Sequence, residues 1–182
     1  MHPHLTQVFS RLDQARATLR ASVDVIPAGL HRQRPAPERW SAAEVIEHLA
    51  LVEALFISRI AGAIDSARAG LGPEGPTCAS LPEPVAVRMA DRVNKRNAPD
   101  VAQPTGTLDL TAAWAAVEAN HQRLRGLVGS VDGLALSQVT VDHAVFGSMT
   151  VYQWVELMAA HEGRHTEQMK EVGEAFAASG QR

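Results

Sequence analysis

From Val151 to Phe176 apolar side chains return every third or fourth position: Val151, Trp154, Val155, Met158, Met169, Val172 and Phe176. That period is the signature of one buried helix face. Three further segments carry it. Leu5, Val8, Leu12, Ala15, Leu19 and Val23 form the first stripe, which Pro27 ends. Val45, His48, Leu49, Val52, Leu55, Phe56 and Ile60 form the second, behind Ser41-Ala42-Ala43-Glu44. Leu110, Trp114, Val117, His121, Leu124 and Val128 form the third, from about Asp109 to Val128. The fourth opens with Thr150-Val151-Tyr152-Gln153, which like the Ser41 tetrapeptide fits a capping box. Runs with strict two-residue alternation are nearly absent. Four one-sided helices bury their stripes by packing together. The expected fold is therefore all-α, a four-helix bundle, in a single domain over residues 1–182.

The connections differ in length. Residues 27–40, with Pro27, Pro35 and Pro37, make a short irregular link. Residues 129–149 hold three glycines and a candidate β or turn segment at Val139–Val141. Residues 67–107 are rich in Gly and Pro, with a candidate short helix near Val85–Asn94. A loop this long is unusual in a compact domain and often serves as a functional cover. It gives the bundle a long crossover between helices two and three, which lets those two run in the same direction.

Composition removes several function classes. A net charge of −3 offers no basic stripe for nucleic acid. No apolar run approaches the roughly 20 residues of a membrane span. Met1-His2-Pro3-His4 does not begin a secretory signal. Cys78, the sole cysteine, has no internal disulfide partner. The expectation from these features is a soluble, cytoplasmic protein without nucleic-acid or membrane partners; a small-molecule substrate is expected only from the histidine site and the resemblance given below.

The chemistry lies in His161-Glu162-Gly163-Arg164-His165. Histidines four apart on a helix share a face one turn apart and can reach one divalent metal at roughly 2.0–2.1 Å. Both stand in the apolar stripe of the fourth segment, and His48 stands in that of the second. A single buried histidine is ordinarily satisfied by a carbonyl or a water. Three on facing stripes instead match a catalytic-type site, with three neutral imidazoles and an open position. The same pentapeptide spells H-E-x-x-H, the zinc-peptidase motif in which Glu162 would be the general base. Against that alternative, Met169 and Glu171 occupy the region where the extended metzincin pattern needs Gly and His. A solvated or ion-paired position is the other reading of Glu162.

Arg39-Trp40-Ser41-Ala42-Ala43-Glu44-Val45-Ile46-Glu47-His48-Leu49, and Phe146-Gly147-Ser148-Met149-Thr150-Val151-Tyr152-Gln153-Trp154 through His161-Glu162-Gly163-Arg164-His165-Thr166-Glu167-Gln168, resemble the DinB-like metalloenzyme superfamily. Within it they are most similar to the branch of metal-dependent hydrolases and bacillithiol-transferase-like proteins. Asn97-Ala98-Pro99-Asp100 with Pro104-Thr105-Gly106 resembles a loop motif of that branch. One departure is His143-Ala144, where the family often has His-Pro. The resemblance implies a bundle with one crossover, often a homodimer. It implies a divalent metal, nickel or zinc in most members and manganese or iron as alternatives, held by three histidines that map to His48, His161 and His165. The activity it implies is hydrolysis or S-transfer of a low-molecular-weight thiol. A non-catalytic metal-binding or interaction protein on the same bundle is the alternative.

Other candidates surround this set. Gln168 orients a ligand or binds substrate, or else caps and packs. His121 approaches the site or belongs to the core or a dimer interface; as a fourth ligand it would favour a structural metal. His143 lines the pocket mouth or faces solvent. Arg88, Arg92, Lys95 and Arg96 are the basic candidates for an anionic group on a substrate. Trp40, Trp114 and Trp154 read as core anchors, and Cys78 has no thiolate-stabilising neighbour in sequence.

Overall fold

A computed structural model describes residues 1–94 and 97–180. Lys95 and Arg96, named above as basic candidates, lie outside the described residues. Four long helices dominate: α1 (Pro3–Asp24), α2 (Ala42–Ala67), α4 (Leu110–Gly129) and α5 (Val151–Ala178). A short α3 (Glu83–Ala90) lies in the crossover, and a hairpin of β1 (Thr140–His143) and β2 (Gly147–Thr150) precedes α5. The hairpin is antiparallel, with Thr140 opposite Thr150 and His143 opposite Gly147. Only its first strand overlaps the segment expected from sequence. The second, Gly147-Ser148-Met149-Thr150, has no run of β-branched residues to announce it.

The helix starts follow their local chemistry. Ser41 Oγ accepts from the Glu44 amide at 3.2 Å, and Glu44 Oε2 accepts from the Ser41 amide at 2.8 Å. Thr150 and Gln153 make the same reciprocal pair at 3.3 and 2.9 Å. Asp109 caps α4 through the Ala112 amide at 2.8 Å. Pro occupies the first position of α1, where its missing N–H costs nothing.

Chain direction follows from paired contacts. Arg11 pairs with Glu156 and Arg16 with Glu162, so α1 and α5 run in parallel. Asn120 donates to the Ala50 carbonyl and Arg68 to the Ser130 carbonyl, so α2 and α4 are also parallel. The aromatic contact of Phe56 with Trp154 and that of His48 with His165 run α2 against α5. The order is up, down, down, up, as one long crossover between the second and third long helices requires. That crossover is not structureless. Besides α3, it is tied to the loop after α4 by a bridge between Pro73 and Leu134 and by Glu74, which accepts from the Ser137 amide at 3.0 Å, and to α5 by the Tyr152 hydroxyl, which donates to Glu74 at 2.8 Å.

The apolar interior falls into two clusters. One gathers Leu5, Leu12, Ile57, Ile60, Leu124, Trp154 and Met158. The other gathers Leu19, Val23, Ile46, Leu49, Val117, Met169 and Val172. Along every long helix the change of cluster is marked by a buried polar residue: Arg16 on α1, Glu53 on α2, His121 on α4 and Glu162 on α5. The bundle is thus two apolar halves joined across a polar layer. No described helix is long and apolar enough to cross a membrane.

Candidate metal centre

The face of α2 that begins at Val45 delivers His48, and the face of α5 delivers His161 and His165. Nε2 of His161 lies 3.0 Å from Nε2 of His165. One ligand nitrogen from each of the three residues lies within 4.8 Å of the others. The ring centroids of His48 are 5.4 Å from His161 and 5.1 Å from His165, both edge to face. His48 and His165 are buried, and His161 is half-buried as a residue.

The outer nitrogens are committed. His48 Nδ1 donates to the Ala102 carbonyl at 2.7 Å, and His165 Nδ1 donates to Gln168 Oε1 at 2.8 Å. Both partners are acceptors only, so each neutral ring carries its proton on Nδ1 and turns a bare Nε2 lone pair inward. Arg92 Nη1 donates to the same Gln168 oxygen at 3.3 Å, which holds the amide in that orientation. Carbonyl and carboxamide acceptors behind the rings are what metal-ligating histidines use to fix tautomer and direction.

Burial holds all three imidazoles below the ordinary histidine range. His161 is pushed down to about 3 by burial first, then by His48 and by the positive charge of Arg164. His165 is lowered well below its usual value by burial and by its two histidine neighbours. At neutral pH the three rings are therefore uncharged, and His165 Nε2 accepts from His161 Nε2 in the 3.0 Å contact.

The crossover builds the rest of the site. Glu47, buried beside His48, accepts from the Thr105 amide at 3.0 Å, the Thr105 hydroxyl at 2.6 Å and the Gly106 amide at 3.0 Å. This fastens the loop whose Ala102 carbonyl orients His48. Gly106 has φ +71°, and a Cβ there would meet Glu44 Oε1 at 3.2 Å, so both backbone and space call for glycine. The Pro104-Thr105-Gly106 resemblance thus has a physical content. On the other side Arg92 pairs with Glu171 at 2.7 Å, and Arg164 donates to the carbonyls of Met89 and Asp91. Trp40 packs against His48 with ring centroids 4.9 Å apart, so it walls the site as well as filling space.

Other sequence candidates find different places. Glu162 is 1% exposed, with Oε1 accepting from Arg16 Nε at 3.2 Å and also from Arg16 Nη2. Arg16 Nη2 also donates to Glu53 Oε1 at 2.7 Å. Burial raises the Glu162 carboxyl above its usual range, and burial with the nearby Glu162 raises Glu53 well above it. The solvated alternative for Glu162 does not hold; it is a buried ion-pair partner. His121 stands outside the cluster, 3.1 Å from Asp13 Oδ1 and accepting from Arg125 Nε at 3.3 Å. His143 accepts from the Val145 amide at 3.1 Å and packs among Phe146, Trp154 and Phe56, half-buried and not a free loop side chain. Gln168 is brought to the site; Arg88 lies over the Phe146 ring. Burial and the carboxylates of Glu156 and Glu74 push the Cys78 thiol up, so its environment disfavours the thiolate.

Sequence reading did not single out Glu47, Ala102, Arg16 or Glu53. A backbone carbonyl leaves no signal in composition. Arg16 and Glu53 did leave one: each is a charged residue at an apolar register position, between Leu12 and Leu19 and between Leu49 and Ile57.

Comparison with known proteins gives a family and a fold. A family model described as the DinB superfamily matches residues 11–169. An uncharacterized protein, YuaE, of Bacillus subtilis (strain 168) is 28% identical over 143 residues, covering 78% of this chain and 82% of its own. A crystal structure of TT2238, a four-helix bundle protein, superposes with a TM-score of 0.60 at 18% identity, covering 91% of this chain and 98% of that one. The likeness to TT2238 shows the fold.

Proposed function

The chain belongs to the DinB superfamily, and from that membership and its converging imidazoles we propose that it is a metal-dependent enzyme with His48, His161 and His165 as ligands. The observation that carries this reading is the pair of outer hydrogen bonds, His48 Nδ1 to the Ala102 carbonyl and His165 Nδ1 to Gln168. They aim two bare Nε2 atoms at the space that His161 Nε2 also borders. A core histidine that needs only a partner would be satisfied by one such bond. The donor set fits a divalent ion of the imidazole-preferring kind, nickel or zinc, with manganese or iron as alternatives. His121, the candidate fourth ligand of a structural site, is engaged by Asp13 and Arg125, which supports an open position.

An ion held by His48, His161 and His165 would supply Lewis acidity, which lowers the pKa of a water or thiol and polarises a carbonyl. The chain's own residues do the rest. Gln168 and Ala102 hold the ligand rings in one tautomer. Trp40 and the 97–106 loop, fastened by Glu47, limit water at the site. The reaction is hydrolysis or S-transfer of a low-molecular-weight thiol to a small substrate. Glu162 has no catalytic part in this reading, because Arg16 engages its carboxylate; this also disfavours the H-E-x-x-H peptidase alternative.

Elemental mass spectrometry of the purified protein tests the site. One metal per chain is expected, lost in His48→Ala and in His165→Ala, followed by screening thiols, amides and esters. Wild-type protein that takes up no nickel, zinc, manganese or iron refutes the reading and leaves a non-catalytic bundle.

A further inference from the structure

We propose that Arg16, on a helix that supplies no histidine, is a positioning residue for the metal centre: its guanidinium joins the two helices that carry the ligands. The inference rests on the reading of the histidine cluster as a metal site. Arg16 Nη2 donates to Glu53 Oε1 of α2 at 2.7 Å and to Glu162 Oε1 of α5. Its Nε donates to the same Glu162 oxygen at 3.2 Å, and its Nη1 to the Val117 carbonyl of α4 at 3.4 Å. One side chain of α1 therefore touches all three other long helices at the level of the polar layer.

The register of these contacts places them beside the site. Glu162 lies between His161 and His165, and Glu53 lies five residues beyond His48, about 7.5 Å along α2 at 1.5 Å per residue. Glu162 points into the bundle while the histidines gather on the neighbouring face of the same turn. A rotation of α5 that displaced the Glu162 carboxylate from Arg16 would also swing His161 and His165 away from His48. A slide of α2 against α5 would break the Glu53 contact and separate His48 from its partners. The planar guanidinium fork accepts few arrangements of two carboxylates, so it selects one rotation and one register.

Stability alone does not account for this layer. Buried ion pairs often contribute nothing net against well-packed apolar side chains, and their best-attested use is to fix register. Leucine or methionine at positions 16, 53 and 162 would merge the two apolar halves into one. Such an interior would specify the relative placement of α2 and α5 less sharply, because apolar contacts are not directional. The ligand set is the feature that needs that placement, since it draws on both helices.

The test replaces the whole ion set and reads the metal. Variants are the triple Arg16→Met/Glu53→Gln/Glu162→Gln and the single Arg16→Lys, which keeps the charge and loses the fork. Each is compared with wild type by circular dichroism, by affinity for Zn²⁺ in a chelator competition, and by the visible ligand-field spectrum of Co²⁺ substituted at the site. The expected result is a folded triple variant with affinity reduced about 10–100-fold, the usual effect of losing outer support to a metal ligand, and a shifted Co²⁺ spectrum. Arg16→Lys should show the same direction and a smaller effect. A folded triple variant with wild-type affinity and a superimposable spectrum overturns the proposal. If the triple variant does not fold, Arg16→Lys decides, by a weakened and shifted site or an unchanged one. Wild-type protein that binds neither Zn²⁺ nor Co²⁺ refutes the metal reading itself, and the inference with it.

Discussion

The metal-free protein should lose stability on mild acidification, and His161 sets the scale. In the unfolded chain this imidazole titrates near its ordinary value of 6.5; in the folded chain it is pushed down to about 3. Between those values the unfolded state binds a proton that the folded state refuses, so stability is fully present above about pH 6.5 and falls as pH falls. Each pH unit is worth about 1.4 kcal/mol, so at about pH 5 the loss from His161 alone is about 2 kcal/mol. His48 and His165 are lowered too and act in the same direction. Glu53 and Glu162 are raised, so they oppose it: they gain protons on folding as the pH falls. The difference between wild type and His161→Gln therefore isolates the effect, because both proteins share the carboxylates. Urea unfolding of both metal-free proteins at pH 7 and pH 5 should show the gap shifting by about 2 kcal/mol in favour of His161→Gln at the lower pH. A gap that stays constant, or moves the other way, refutes the neutral buried imidazole and with it the lone-pair geometry of the site.

Three further outcomes follow from single contacts. Gln168→Ala should reduce metal affinity about 10–100-fold in a chelator competition, since it frees His165 Nδ1, while leaving thermal unfolding of the metal-free protein within a few degrees of wild type. Glu47→Ala removes the acceptor of three loop donors and should cost about 3 kcal/mol in urea unfolding, with faster hydrogen exchange at the Thr105 and Gly106 amides. Tyr152→Phe deletes the hydroxyl donated to Glu74 and should cost about 1 kcal/mol without changing metal content, because that contact lies outside the histidine cluster.

The four long helices were legible because each stripe is long and two of the starts, at Ser41 and Thr150, carry a capping box. Ser41, Asp109 and Thr150 cap where their side chains suggest. α2 runs to Ala67 and buries Ile64, past the last stripe residue read from sequence. The short helix of the crossover, expected near Val85–Asn94, forms at Glu83–Ala90, pulled back to the proline-marked start that favours a first turn. The histidine cluster was legible because polar rings in an apolar stripe must find partners. Its supports were not, since Ala102 acts through a backbone carbonyl and Glu47 acts on a loop nearly sixty residues away. The ion-paired reading of Glu162 is the one the structure matches, but its partner was not legible for a related reason. Its place beside two histidines suggests chemistry, while its actual partner, Arg16, lies 146 residues distant in sequence.

The position of the site follows from how the bundle is divided. α1 pairs with α5 and α2 with α4, each pair running in parallel, and the histidines lie where one pair faces the other. That junction is where the two ligand-bearing helices, α2 and α5, meet. Here it is held by different devices on its two sides. On the inner side Arg16 links Glu53 to Glu162 across the junction. On the outer side the crossover reaches back, with the Ala102 carbonyl on His48 and Arg92 on Gln168 and Glu171. The crossover is thus more than the connection that reverses the order of the helices. Its hydrogen bonds end on the outer nitrogen of one histidine and on the amide that orients another, so any movement of it changes the site directly. A ligand that displaced Arg92 from Gln168 would loosen His165, and one that displaced the 97–106 loop would free His48. Access and ligand geometry are coupled through the same few hydrogen bonds.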